Sequence, residues 1–392
     1  MKGTTDSNSI DAALTALDQY VLLGKSGLRV SPLCLGTMTF GEEWGFGSNL
    51  ERCKVLFDRY TELGGNFFDT ANIYTNGDSE RFLGQYIASQ RSNCVVATKY
   101  SINPGTTEAL AGRHSTLNPN AGGNHRKNMV ESLDASLKRL GTGYVDVFYV
   151  HLWEYRTPVQ EVMRALDDVV RSGKAHYVAV SDAPSWVVSR ANTLADLRGL
   201  SPFIGLQSRY NLLNRSLESD LEPMCSDLGI GIVPWGILCE GFLTGKHKRE
   251  AKVNSSSSSS QPSKVDTRRK GQVSAHMRDD KAWRILDVVQ EIARECKRTP
   301  AQVAVNWTMQ KPGITSPLLG ARTLEQLEDN LGALEFTLTQ DQMARLDHVS
   351  NPTTWPFPLD VVRNIEKYTG VGLDIEMPPQ FKAIQKLKTS KL

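Results

Sequence analysis

Long apolar runs, paired metal-ligand motifs and a large charge of either sign are all missing from this chain of 392 residues. No stretch approaches the ~20 consecutive apolar residues of a membrane-spanning helix, and Met1 to Tyr20 is polar and acidic with no apolar signal-peptide core. The chain is therefore expected to be neither embedded in a membrane nor exported by the usual route. Lysine and arginine number 45 against 43 aspartates and glutamates, a formal charge of +2, so no global field draws the chain to nucleic acid or an anionic membrane. Any anion site must be local. The six cysteines (Cys34, Cys53, Cys94, Cys225, Cys239 and Cys296) form no Cys-x-x-Cys pair and have no metal-ligand spacing, as expected of buried reduced thiols. A Rossmann dinucleotide fingerprint is lacking too: Gly229-Ile230-Gly231-Ile232 runs into Pro234 instead of opening a helix. With no Tyr-x-x-x-Lys, Gly-x-Ser-x-Gly or His-Glu-x-x-His, the commoner dehydrogenase, serine-hydrolase and zincin readings fall away.

What is present is alternation. Eight short apolar runs of strand length (Leu33–Leu35, Phe67–Asp69, Val95–Thr98, Val145–Val150, Tyr177–Ser181, Ile204–Gln207, Gly231–Pro234 and Ser316–Leu319) are separated by segments of helical period. Met129, Leu133, Leu137 and Leu140 line one helical stripe; Val159, Val162, Leu166, Val169 and Val170 line another, opened by Thr157-Pro158 and closed at Gly173. Eight βα units predict an α/β fold, a single (β/α)8 TIM barrel. Val21–Leu23 and Leu28–Ser31, flanking Gly24-Lys25-Ser26-Gly27, predict a hairpin that caps the barrel floor. The chain divides into an extension over 1–19, the barrel over 20–350 and a tail over 351–392. Two connections, Tyr100–Arg126 and Lys246–Asp280, are too long for ordinary βα loops. The first follows a strand's C-terminal end, where barrel enzymes build their sites; the second holds the Ser255–Ser260 tract and reads as a flexible insertion over about 247–280. In the tail, Trp355, Pro356, Phe357 and Pro358 suggest partial docking on the barrel.

Polar side chains gather at the ends of successive strands. Asp69-Thr70-Ala71-Asn72-Ile73-Tyr74 follows the second run, Thr98-Lys99-Tyr100 the third and Tyr149-Val150-His151 the fourth. Singly, each has an ordinary alternative as a helix cap, a surface charge, a rim residue or a satisfied core histidine. Together they supply what carbonyl reduction needs, since hydride addition leaves an alkoxide that must be protonated. A tyrosine hydroxyl, with a pKa near ~10, is a poor acid unless a cation stabilises its phenolate. Lys99 is placed to be that cation and Asp69 to hold it.

In these residues the sequence resembles the aldo-keto reductase superfamily, from about Tyr20 to Asn351. The resemblance implies that Tyr74 is the acid, Lys99 and Asp69 its activators, and His151 the donor that orients the carbonyl, with NADP(H) as cofactor and a small-molecule carbonyl as partner. It further implies that Ser181, Asp182 and Gln207 hold the nicotinamide carboxamide and that Trp235 stacks on its ring. Gly236, Ile237, Leu238, Gly241, Leu243, Gly245 and Lys246 would wrap the pyrophosphate, with Lys246 as counter-charge. Gly320, Arg322, Gln326, Asp329 and Asn330 resemble the last-strand phosphate site, where Arg322 and Gln326 would meet a 2′-phosphate and Asn330 the adenine; Thr37, Met38 and Asp69 complete the implied cofactor contacts. Asp182 stands where the family has Asn, which removes an amide donor but leaves an acceptor for the carboxamide NH2. The stretch Ser181-Asp182-Ala183-Pro184-Ser185-Trp186 is similar to the fungal aryl-alcohol dehydrogenase and norsolorinic acid reductase branch, which implies an aromatic or polyketide carbonyl. Trp44, Phe46, Tyr74, Tyr100, His151 and Trp153 are the expected pocket lining.

Two other readings remain at this level. Relatives of such barrels serve as non-catalytic NADP-binding regulatory β subunits of potassium channels. A metal-dependent barrel hydrolase built on Asp69 and His151 would want further strand-end ligands, and none is apparent, so no metal is expected. The last three residues, Ser390-Lys391-Leu392, match the carboxyl-terminal peroxisomal signal and imply the import receptor as a partner and a peroxisomal address; without that signal the expectation is cytoplasmic. The oligomeric state has no signature in the sequence.

Overall fold

Each of the eight apolar runs forms a strand in the computed structural model, which describes residues 16–105, 118–249, 271, 273–354 and 356–359. After a hairpin of β1 (Val21–Leu22) and β2 (Arg29–Val30) come β3 (Cys34–Gly36), β4 (Phe67–Asp69), β5 (Val95–Tyr100), β6 (Val145–Val150), β7 (Ala175–Ser181), β8 (Phe203–Arg209), β9 (Gly231–Trp235) and β10 (Leu318–Gly320). The last eight form one sheet in the order β10-β3-β4-β5-β6-β7-β8-β9, every pair parallel. Its two edges meet at Ile232, whose N–H donates to Gly313 O (3.2 Å) and whose O accepts from Thr315 N (2.8 Å). The result is a nearly closed (β/α)8 barrel with its helices outside.

The period of two along each strand decides what lies within. Cys34, Phe67, Val95, Ala97, Val147, Tyr149, Ala179 and Val233 pack together inside the barrel, while the residues between them, such as Val96, Phe148 and Val180, pack under the helices. On the helix side, Met129, Leu133, Leu137 and Leu140 are the buried face of the helix Arg126–Leu140. Val159, Val162, Leu166 and Val169 do the same on Val159–Arg171, with Val170 half-buried at the edge of that stripe.

The hairpin closes the floor. Leu23 and Val30 are fully buried in the inner cluster, and Lys25 N–H donates to Gly229 O at 2.8 Å, just before β9. Gly24 has φ +59°, and a Cβ there would lie 2.5 Å from Ile204 O and 2.7 Å from Gly229 O, so both backbone conformation and space call for glycine. Gly24→Ala is expected to cost about 1–3 kcal/mol of folding stability, measurable as a lower urea midpoint at unchanged slope. An unchanged midpoint would mean that the hairpin is not seated on the floor.

Some expectations fall outside the described residues: the Ser255–Ser260 tract, Trp355 and Ser390-Lys391-Leu392. Of the tail segment expected to dock, Phe357 is 81 % exposed, and it is Leu359 that is buried. Among the described residues no helix is long and apolar enough to cross a membrane. All six cysteines are free thiols, five of them buried.

Candidate active site

The inward alternation carries each polar strand end to the same mouth. Lys99 continues the inward series Val95, Ala97; His151 continues Val147, Tyr149; Asp69 follows Phe67, Ser181 follows Ala179, and Trp235 follows Val233. Lys99 is fully buried, and its ammonium donates to Asp69 Oδ2 at 2.5 Å, to Thr70 O at 2.9 Å and to Tyr74 OH at 3.2 Å. Gln207 Nε2 donates to the other carboxylate oxygen of Asp69 at 2.8 Å, so both oxygens are engaged. Tyr74 opens a short turn in which Thr75 (φ 46°), Asn76 (φ 55°) and Gly77 (φ 91°) are all left-handed. Thr75 Oγ1, which donates to Phe40 O at 2.5 Å, fixes that strained turn, and with it the direction of the Tyr74 ring. The ring stands edge-on to His151 (centroids 5.8 Å apart, 83°) and to Trp44 (6.2 Å, 79°).

The electrostatics assign protonation states. Burial raises the Tyr74 pKa, the Lys99 charge pulls it down and Asp69 pushes it up; the net is raised, so Tyr74 is a phenol at neutral pH. Burial opposes the Lys99 ammonium, but Asp69 and Tyr74 outweigh it and its pKa is raised. Burial, then the nearby Lys99 charge, hold His151 well below the ordinary histidine range, so it is a neutral imidazole. Its Nδ1 is buried without a partner among the described residues. The site therefore holds a protonated acid, a fixed cation beside it and a neutral imidazole facing both.

The groups expected to hold a dinucleotide lie around this mouth. Ser181 and Gln207 are buried at the ends of β7 and β8. Beyond β9, Gly236 (φ 72°), Cys239 (φ 50°), Glu240 (φ 56°), Gly241 (φ 93°) and Gly245 (φ 75°) are left-handed, and the N–H groups of Cys239, Gly241, Leu243 and Gly245 close the turn on its own carbonyls. A Cβ on Gly241 would come within 3.3 Å of Lys246 Nζ, so the ammonium lies against this turn. Arg322 is exposed just ahead of the helix Leu324–Leu331. Its carbonyl accepts from Ser48 Oγ (2.8 Å), and Ala321 O accepts from Thr39 Oγ1 (2.8 Å), which ties this segment to the loop carrying Met38 and Trp44. Two cations and a helix start suit a phosphorylated dinucleotide.

Tyr100 does other work than the sequence suggested, and several of the expected cofactor residues make protein contacts that the sequence did not reveal. Tyr100, expected in the substrate pocket, turns outward because it follows the inward Lys99 by one residue. It is fully buried, stacks on Phe148 (5.1 Å) and donates to Asn124 O (3.1 Å). Asp182 Oδ1, expected to meet a carboxamide, accepts from Trp235 Nε1 at 3.2 Å. Gln326 Oε1 accepts from Arg322 N (3.0 Å), and Asp329 Oδ1 from Thr299 Oγ1 (2.8 Å). Thr37 Oγ1 donates to Asp69 O (2.9 Å) within a buried hydroxyl cluster with Ser79 and Thr70 that fixes the end of β4. Ser79, like Arg209 whose guanidinium lies 4.5 Å from the centre of the Trp235 ring, escaped the sequence reading. Ser79 left no signal there. Arg209 had one, a charge at the end of a strand two residues after Gln207.

The chain also matches known proteins. Residues 32–351 match the Aldo/keto reductase family. The chain is 34 % identical over 345 residues to a norsolorinic acid reductase of Aspergillus flavus, covering 87 % of this chain and 82 % of that protein. It is 38 % identical over 330 residues to norsolorinic acid reductase B of Aspergillus parasiticus, covering 82 % and 81 %. To an aryl-alcohol dehydrogenase [NADP(+)] of Phanerodontia chrysosporium it is 35 % identical over 331 residues, covering 82 % and 83 %.

Proposed function

Since this chain belongs to the aldo/keto reductase family, we propose that it uses NADPH to reduce an aromatic or polyketide-derived aldehyde or ketone, with Tyr74 as general acid. The family fixes the coarser statement: the protein is an oxidoreductase that reduces carbonyl groups with a nicotinamide cofactor. The observation that carries the residue assignment is the contact of Tyr74 OH with the fully buried Lys99 Nζ at 3.2 Å.

The nicotinamide cofactor, when bound, would be the source of the hydride that the carbonyl carbon receives. The oxygen then takes up negative charge and needs a proton, which Tyr74 OH donates as the C–O double bond becomes single. Lys99, one hydrogen bond away, stabilises the phenolate left behind. Asp69 and Thr70 O hold Lys99 in place, and Gln207 holds Asp69. A neutral His151 donates N–H to the same carbonyl oxygen and sets its direction without adding charge. Trp44 and Phe46 would give the pocket aromatic walls, Trp44 lying 6.0 Å from Phe46 and 6.2 Å from Tyr74, while Trp153 is buried in the core cluster. Trp235 would stack on the nicotinamide, with Ser181 and Gln207 at its carboxamide, Lys246 at the pyrophosphate, and Arg322 at the 2′-phosphate.

A panel of aromatic, polyketide-like and aliphatic carbonyls, assayed with NADPH and with NADH and no partner protein, tests the reading. Turnover confined to small aliphatic aldehydes would overturn the substrate class. The regulatory-subunit alternative draws no support from the relatives, and tight NADPH retention without turnover of any carbonyl would revive it. Arg322→Ala is expected to weaken NADPH binding by about 1.5–3 kcal/mol, the worth of a hydrogen bond to a charged group, and NADH binding far less. Equal weakening of both in a direct titration would remove Arg322 from the 2′-phosphate.

A further inference from the structure

Three strand ends meet at one indole. Trp235 closes β9 and is paired in register with Arg209, which closes β8; Asp182 follows β7 directly. Asp182 Oδ1 accepts the indole Nε1–H at 3.2 Å, and the Arg209 guanidinium lies 4.5 Å from the ring centre. The indole is thus gripped at its edge and against its ring. The backbone supports the grip. Asp182 sits at φ 43°, a conformation costly for most residues, and is held there by its N–H to Gln207 O (3.1 Å) and by Trp153 N–H to its carbonyl (3.4 Å). Trp235 O accepts from Tyr210 N (3.2 Å), and the next carbonyl, Gly236 O, from Asn211 Nδ2 (2.8 Å).

We propose that Asp182 and Arg209 are positioning residues that clamp the Trp235 indole in one orientation and so present it, preorganised, to the flat ring of the cofactor. The inference rests on the stacking role given to Trp235 above. It also assigns a use to the carboxylate at position 182: with Oδ1 committed to the indole, Asp182 acts through Trp235. An immobile aromatic surface binds more tightly than one that must be ordered on contact, because the ordering cost has been met in the free protein. Arg209 contributes by cation–π attraction, and its charge also lowers the cost of keeping Asp182 ionised where burial opposes it.

The test is direct NADPH titration of the full chain, read as cofactor fluorescence, with thermal midpoints to confirm folding. Asp182→Gly deletes the acceptor without straining the left-handed backbone, and Asp182→Asn keeps both an acceptor and tolerance of that backbone. Asp182→Gly is expected to weaken NADPH about tenfold and Arg209→Met about two- to fivefold, with Asp182→Asn close to the unaltered protein. Trp235→Phe keeps a smaller ring but loses the N–H, so adding Asp182→Gly to it should weaken NADPH no further than Trp235→Phe alone, since the bond is already lost. Full additivity would overturn the clamp by showing that Asp182 acts on the cofactor itself. If Trp235→Ala weakens NADPH while Asp182→Gly and Arg209→Met do not, the clamp fails and the stacking reading survives. If Trp235→Ala leaves NADPH affinity unchanged, the stacking reading fails and takes the clamp with it.

Discussion

Tyr74→Phe is expected to lower the rate of carbonyl reduction by on the order of 10²–10⁴ while leaving NADPH affinity nearly unchanged. The substitution removes one oxygen. The aromatic ring, held between Trp44 and His151, keeps its packing, and the left-handed turn behind it does not depend on the hydroxyl. What disappears is the proton and the partner of the Lys99 ammonium. Lys99 keeps Asp69 and Thr70 O as acceptors, so the variant leaves no buried charge stranded and should fold like the parent. Single-turnover measurement at saturating NADPH and carbonyl isolates the chemical step. A rate within tenfold of the parent would overturn Tyr74 as the acid and turn attention to His151, the other donor at the mouth.

How much of this could be read from the chain follows from period and position. The strands were legible because their alternation of faces is a local property, and the same alternation announces that Asp69, Lys99, His151 and Trp235 point inward, each two residues beyond an inward apolar neighbour. Tyr100 is the instructive failure. Its aromatic ring beside Lys99 in the sequence suggested a pocket residue, but adjacent residues on a strand face opposite ways, and it lies under the helices against Phe148. Contacts between distant strand ends were not legible. That Gln207 would grip Asp69, or that Asp182 would take the indole proton of Trp235, depends on which strands are neighbours around the barrel and how far each is staggered. Nor does local sequence reveal the hydroxyl cluster of Thr37, Thr70 and Ser79, whose members are ordinary residues until β3 and β4 are brought together.

The second large effect is expected at Lys99, and it separates catalysis from stability. Lys99→Met should lower reduction by on the order of 10²–10⁴, because the phenolate left by proton donation loses its adjacent cation. It should also cost about 3–5 kcal/mol of stability, since Asp69 would become a buried carboxylate with Gln207 as its remaining side-chain partner. Adding Asp69→Asn removes that stranded charge, so the double variant should regain much of the stability and none of the activity. The pH profile gives a second sign. Donation requires Tyr74 protonated, so the rate falls on the alkaline side as its phenol ionises. Lys99 is the group that pulls the Tyr74 pKa down and Asp69 a group that pushes it up. Removing Lys99 alone must therefore move the alkaline limb of the residual activity to higher pH; removing Asp69 as well moves it part of the way back. Denaturant midpoints and single-turnover rates across pH test both sets of expectations. Activity regained together with stability in the double variant would reduce Lys99 to a structural partner of Asp69, and an alkaline limb shifted to lower pH would contradict the electrostatic coupling on which the mechanism depends.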